Sequence, residues 1–307
     1  MMNLFSGSIF TLVFIMLFPP IPDSKEVMKA PQLQKPLFSF GILADVQYAD
    51  AEAVGTRFYR SSLSKLDEAL KTLKNDSVDF VITLGDIIDR NLESYKPVLS
   101  IIKASGLKFF HITGNHDYNF EKGNPGKIPS SYYSKKGYYS ITHNNFKFIF
   151  LNGNEISIYG SASKKMKDQA QQIIDSLKKA GSSNAMDWNG GISQKQIKWL
   201  DEQLESSVSA NEKVFIFCHF PVFPENVHNM LNYSDVLNIL QKYDNIIAWF
   251  NGHNHAGNYG NTNSVHYVTL KGMVETESQN SFARIDVYSN KIWIVGDGRE
   301  KNHILAY

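Results

Sequence analysis

Only one cysteine, Cys218, occurs in 307 residues, which excludes an intrachain disulfide framework and a cysteine-built zinc site. An excess of charge of either sign is equally missing: 31 Lys and Arg against 30 Asp and Glu leave +1. No broad field draws such a chain to nucleic acid or an anionic membrane. An anionic small-molecule ligand must therefore be held by local groups. There is no internal repeat, no signal that sets an oligomeric state, and no apolar run of the ~20 residues a membrane-spanning helix requires. What is present is a hydrophobic fraction of 43%, enough for a sizeable core. Nine histidines accompany many Asp and Asn residues, so a metal centre can be built without sulfur.

Residues 4–18 are nearly all apolar and are followed by Pro19, Pro20 and Pro22. The run matches the core of a secretory signal peptide, although no Lys or Arg precedes it and no Ala-x-Ala-like site follows. The expectation is export to the periplasm or exterior, or a membrane tether through this segment alone. The alternative is a cytoplasmic protein with an apolar N-terminus. Residues 23–36, with Pro31 and Pro36 among polar and charged side chains, read as a linker. The expected organisation is a signal or anchor-like segment and linker over 1–36, then one folded domain over 37–307.

From Leu37 onward, short β-branched or aromatic runs alternate with amphipathic stretches. Strands are expected at 38–44, 80–84, 109–113, 146–151, 214–218, 246–250, 265–270, 282–287 and 292–295. Helices are expected at 58–73, 96–104, 164–179, 194–204 and 233–241. Ser193, with Gln196 three residues on, has the pattern of a capping box opening the fourth helix. The alternation specifies an α/β fold with buried sheets. The last three strands have no helices between them and are expected to form an antiparallel second sheet. Residues 123–131 and 154–163 read as loop insertions.

Five polar motifs each follow an apolar strand candidate. They are Asp45-Val46-Gln47, Gly85-Asp86-Ile87-Ile88-Asp89-Arg90, Gly114-Asn115-His116-Asp117, His219-Phe220-Pro221 and Asn251-Gly252-His253-Asn254-His255. Ligands of open α/β sheets bind beyond the carboxyl ends of the strands, so parallel strands would bring all five motifs to one edge. Asp45, Asp86, His219, His253 and His255 are hard or borderline metal ligands, and the amide oxygens of Gln47 and Asn115 add two more. Seven donors exceed one tetrahedral ion and suit two ions sharing a carboxylate. Asp86, midway in the order, is the natural bridge. The flanking Gly85, Gly114 and Gly252 permit sharp turns and close backbone approach.

In this order the motifs resemble the calcineurin-like metallophosphoesterase superfamily over residues 38–255. That superfamily usually carries His where this chain has Gln47. The Asp-x-Gln variant, with the stretches 44–50, 55–63, 188–192 and 265–276, is similar to the manganese-dependent ADP-ribose/CDP-alcohol diphosphatase family, and the likeness runs on to Arg299. The resemblance implies a four-layer α/β/β/α sandwich for the catalytic domain. It implies one metal on Asp45, Gln47, Asp86 and His255, and a second on Asp86, Asn115, His219 and His253. Mn²⁺ is the implied metal, with Mg²⁺ as the alternative; an amide oxygen in place of an imidazole hardens the first site in the same direction.

The implied activity is hydrolysis of the phosphoanhydride of nucleoside diphosphate-linked small molecules, ADP-ribose or CDP-alcohols, by metal-activated hydroxide. A phosphomonoesterase or cyclic-nucleotide phosphodiesterase using the same two-metal site is the alternative. His116 would protonate the leaving oxygen or stabilise its charge, with Asp89 orienting it and Asp117 the second candidate for that task. Asn115 would reach substrate as well as metal. Arg57 or Arg60 would clamp the second phosphate bidentately, and Arg90 falls where those relatives commonly carry Gly.

Beside the motifs, Phe220 and Tyr48 offer flat faces to a nucleobase but are more simply packing residues. Asp50 reads as a loop or capping acid, and Cys218 as a small buried apolar residue. His111, His143, His228, His266 and His303 lack partners at ligand spacing and read as structural or surface residues. Substrate specificity is expected to reside in the loops 154–163 and 224–232.

Overall fold

The computed structural model describes residues 35–118, 128–129, 132 and 137–307. The apolar run 4–18, nearly all of the 1–36 segment and most of 123–131 lie outside the described residues. Within the remainder, Lys35–Tyr307 pack as one compact unit.

Phenylalanine at alternate strand positions decides the architecture. Phe38, Phe40 and Ile42 of β1 (Phe38–Leu43) share one face, as do Phe146, Phe148 and Phe150 of β5 (Phe146–Phe150) and Phe215 and Phe217 of β6 (Lys213–Phe217). These side chains meet between two sheets in one buried layer; the Phe217 and Phe250 rings stack 5.6 Å apart and the Phe148 and Phe217 rings 5.9 Å apart. Of the intervening residues, Leu43, Ile149, Val214 and Ile216 are also apolar, because both outer faces are covered; Ser39 and Lys147 are the polar exceptions. Leu43 and Val81 pack under α1 (Ser61–Asn75) and α2 (Tyr95–Ser105). Ile149, Val214 and Ile216 pack under α4 (Gln194–Ser209) and α5 (Tyr233–Leu240). The layers are therefore helix, sheet, sheet, helix, the four-layer α/β/β/α sandwich of the metallophosphoesterase fold. The remaining helix, α3 (Lys164–Lys179), lies on a satellite cluster with Ile156 and Leu231.

The first sheet has the order β12-β11-β10-β1-β2-β3 and the second β4-β5-β6-β7-β9-β8. Here β2 is Phe80–Thr83, β3 Phe109–His111, β7 Ile246–Asn251, β9 Val265–Thr269, β10 Ser281–Val287 and β11 Lys291–Gly298. Strands β1, β2 and β3 pair in parallel, and so do β5, β6, β7 and β9. All five polar motifs consequently leave their strands at the same kind of end.

Three expectations need correction. The last three expected strands do not form a sheet of their own: β9 pairs with β7, whereas β10 joins the first sheet antiparallel to β1 and β11 follows antiparallel to β10. Three strands escaped the sequence reading, β4 (Tyr139–His143), β8 (Asn258–Thr262) and β12 (His303–Ala306), and each is a sheet edge. Edge strands with one wet flank carry polar residues and no continuous apolar run. The capping box before α4 is half formed. Ser193 Oγ accepts from Gln196 N, but Gln196 turns its side chain to Asn152 and Glu155, and Glu155 caps the Ser193 N–H instead.

Candidate active site

At the carboxyl ends of β1, β2 and β3 the chain presents Asp45, Gln47, Asp86 and Asn115; at those of β6 and β7 it presents His219, His253 and His255. Oxygen donors thus come from one sheet and nitrogen donors from the other. The side chains form a connected set. Asp86 Oδ2 lies 3.2 Å from His219 Nε2 and 3.3 Å from Gln47 Nε2, and His219 Nε2 lies 3.2 Å from Asn115 Oδ1. Gln47 Nε2 reaches His255 Nε2 at 3.1 Å, and His255 Nε2 lies 3.6 Å from Asp45 Oδ1. Asp86 stands between Asp45, Gln47 and His255 on one side and Asn115, His219 and His253 on the other.

Two observations fit this set to divalent cations. Ligand atoms of Asp86, His219 and His253 all lie within 4.8 Å of one another, and Gln47 Oε1 is buried with no hydrogen-bond partner, an acceptor a cation would satisfy. The histidines carry a third. Each has its other ring nitrogen held by an acceptor: His219 Nδ1 by Leu84 O at 2.7 Å, His253 Nε2 by Asn189 Oδ1 at 2.9 Å, and His255 Nδ1 by Glu275 Oε1 at 2.7 Å. A proton placed on each of those nitrogens leaves the inward nitrogen a lone pair, the arrangement that fixes metal-ligating imidazoles.

The backbone is bent to aim these groups. Asp45, Gln47, Asp86 and His253 all adopt positive φ, between 41° and 68°, a region costing a non-glycine residue about 1 kcal/mol or more. Two glycines admit the side chains so aimed. A Cβ on Gly114 would lie 2.1 Å from Asp86 Oδ1, and one on Gly252 would lie 2.5 Å from Asp45 Oδ2.

Charge follows from this packing. Burial works against ionisation of Asp86, yet His219, His116 and His253 around it hold its carboxyl well below the usual range. Burial likewise opposes the imidazolium of His219 and of His255, but Asp86 and Asp45 respectively outweigh it and push each up to about 9.

His116 is placed by its own N–H, which donates to Asp86 Oδ1 at 2.7 Å, and its Nδ1 contacts Asp89 Oδ1 at 3.1 Å. Against the penalty of burial, Asp86 and then Asp89 raise its pKa, which favours its protonated form. Asp117, the second candidate for orienting it, is committed elsewhere. It accepts from the N–H groups of Asp86, Ile87 and Gly114 and ties the two turns together.

The two arginines separate. Arg57 lines the cavity above the metal-ligand set. Arg60 points to solvent and pairs with Asp50 at 2.6 Å and Glu52 at 2.5 Å, so of the two only Arg57 faces the cavity. Arg90 stacks its guanidinium 4.8 Å over the Tyr59 ring.

Above the cluster opens a cavity of about 380 Å³. Its walls include His228 and Tyr159, which lie in the loops 224–232 and 154–163 expected to carry specificity, and Trp188. Phe220 is wholly buried, its ring against those of His219 and His253 at 5.0 and 4.7 Å, and Tyr48 packs in the layer under α1. Cys218 is buried, its thiol pushed up to about 12 by burial. Asn189 and Glu275 also escaped as site residues, because neither belongs to a strand-end motif; each lies in a stretch noticed only for its family likeness.

Paired cation positions straddling one aspartate, with a histidine held against an aspartate beside them, define a hydrolase of phosphate esters or anhydrides that works through divalent metals. The chain belongs to the calcineurin-like phosphoesterase family, whose model matches residues 38–257. It is similar to the manganese-dependent ADP-ribose/CDP-alcohol diphosphatases of Homo sapiens, at 30% identity over 88% of this chain and 93% of that protein, and of Arabidopsis thaliana, at 31% over 87% and 96%. A crystal structure of a dimetal phosphatase from Danio rerio superposes with a TM-score of 0.79 at 26% identity, covering 89% of this chain and all of that one.

Proposed function

We propose that this protein hydrolyses the phosphoanhydride bond of nucleoside diphosphate-linked small molecules, with ADP-ribose and CDP-alcohols as the substrate class and two Mn²⁺ ions as cofactor. The observation that carries the reading is Gln47, an amide where an imidazole is usual, its Nε2 meeting Asp86 and His255 while its carbonyl oxygen is buried and unpartnered. The names of the curated relatives support the same metal and the same substrates.

One ion would be held by Asp45, Gln47, Asp86 and His255 and the other by Asp86, Asn115, His219 and His253. Bound there, divalent ions supply Lewis acidity, drawing charge from phosphoryl oxygens and lowering the pKa of water. The chain's own groups complete the site. Arg57 is placed to bind the neighbouring phosphate, and a guanidinium can do so with two parallel N–H donors. His116, its Nδ1 on Asp89, keeps Nε2 for the cavity and its proton for the departing oxygen.

Turnover of ADP-ribose, CDP-choline, p-nitrophenyl phosphate and cyclic AMP with added Mn²⁺, with products identified, tests the assignment. AMP from ADP-ribose and CMP from CDP-choline are expected. Dominant cleavage of the monoester or the cyclic nucleotide would overturn it.

A further inference from the structure

Six large hydrophobic side chains are conspicuously exposed among the described residues, and of these only Trp188 lines the cavity. It is 39% exposed, whereas Trp249 is buried and Trp199 and Trp293 are half-buried. Leaving an indole wet costs hydrophobic free energy, so its position calls for something to cover it.

The segment carrying Trp188 is held firmly. The next residue, Asn189, is fully buried and donates to Asn184 O at 3.0 Å and Val227 O at 2.8 Å, while its Oδ1 meets His253 Nε2 at 2.9 Å. The indole is therefore one residue from an anchor on the metal-ligand set. Tyr159, on the same wall, is tied to this segment through its hydroxyl, 3.3 Å from Asp187 Oδ2. The cavity thus has a ligand-bearing floor at Asp86 and His253, Arg57 and His116 beside it, and an aromatic side at Trp188 and Tyr159.

We propose that Trp188, supported by Tyr159, is the stacking platform for the nucleobase and is a specificity-determining residue of this site. The inference rests on the nucleoside diphosphate reading above and adds the residue that recognises the nucleoside half. A ring face accepts a purine and a pyrimidine alike, because every base has a π-face; that tolerance suits a site taking both adenosine and cytidine diphosphate compounds. A pocket reading base edges by hydrogen bonds would choose between them.

The test is binding of AMP, CMP and ribose 5-phosphate to the full chain with Mn²⁺, followed by calorimetry, for the wild type and the Trp188→Ala and Trp188→Phe variants. Trp188→Ala is expected to weaken AMP and CMP by about tenfold or more, the effect of losing one base–aromatic stack, and to leave ribose 5-phosphate unchanged. Trp188→Phe should restore most of the loss. Unaltered nucleotide affinity in Trp188→Ala, or an equal loss for ribose 5-phosphate, would overturn the platform. Wild-type turnover of ADP-ribose separates the two readings. If the wild type cleaves ADP-ribose while Trp188→Ala keeps its AMP affinity, only the platform fails. If the wild type cleaves no diphosphate while Trp188→Ala loses AMP and CMP but not ribose 5-phosphate, the platform stands and the substrate assignment fails.

Discussion

Glu275 makes one short hydrogen bond to His255, and removing its charge while keeping its shape isolates what that bond does. The bond holds the Glu275 carboxyl down at about 2, so the ring of His255 faces a full negative charge. Glu275→Gln is expected to weaken Mn²⁺ binding about 10- to 100-fold, the usual cost of losing an outer-shell partner. A Mn²⁺ titration followed by electron paramagnetic resonance would show it, and an unchanged isotherm would refute the role. Gln47→His, which softens the same half of the site, should shift preference away from Mn²⁺ toward metals that favour nitrogen, read from competition between Mn²⁺ and Zn²⁺.

Protons compete for the same nitrogens. Without metal, Asp86 and Asp45 push His219 and His255 respectively up to about 9, against the penalty of burial and above the ordinary 6.5. Their charged pairs with Asp86 and Asp45 therefore stabilise the metal-free fold fully below pH 6.5, and that contribution is lost as pH rises through 9. Metal binding must displace those protons, so Mn²⁺ affinity is expected to rise across the same window, by up to about tenfold per pH unit for each proton released. The gap between metal-loaded and metal-free melting temperatures should widen from pH 6.5 to 9, and a constant gap would contradict this.

Among the elements, α1 reaches furthest into the site without touching it. Lys65, buried on its inner face, donates to the carbonyls of Met273, Glu275 and Thr276, and Arg299 donates to those of Gly272 and His255. Two cations thus hold the backbone that carries Glu275. Lys65→Met leaves one buried and two half-buried carbonyls without that donor and should cost about 1–3 kcal/mol, measured by urea unfolding; a loss below about 0.5 kcal/mol would show that water takes its place.

What could be read before folding follows the same division. Asp45, Asp86, His219, His253 and His255 were legible because each follows an apolar strand at fixed spacing. Strands β4, β8 and β12 were not, since edge strands lack a continuous apolar pattern. Asn189, Glu275, Trp188 and Tyr159 lie on segments whose place at the site is set only by tertiary packing. His228 reaches the cavity wall on a loop, where no periodicity announces it.

For the whole molecule, the apolar segment 4–18 bears on where the enzyme works rather than on how. We propose that it directs export, and fractionation of cells expressing the full chain checks this: the protein should appear outside the cytoplasm or with membranes, and a wholly cytosolic distribution would refute it. The layer between the sheets carries the stability. Phe217→Ala, which empties a fully buried site among four phenylalanine neighbours, should cost about 3–5 kcal/mol in a denaturant melt. A cost under about 1 kcal/mol would mean that the layer collapses to refill the space.

The split origin of the donors, carboxylate and amide from one leaf and imidazole from the other, makes each cation a rivet through the sandwich. Chelation would then do more than silence the enzyme: it would unfasten one rim of the seam while the phenylalanine end stays shut. Deuterium uptake after chelator treatment should accordingly quicken at the turns after β1, β2, β6 and β7 and leave the amides beside Phe38 and Phe146 untouched.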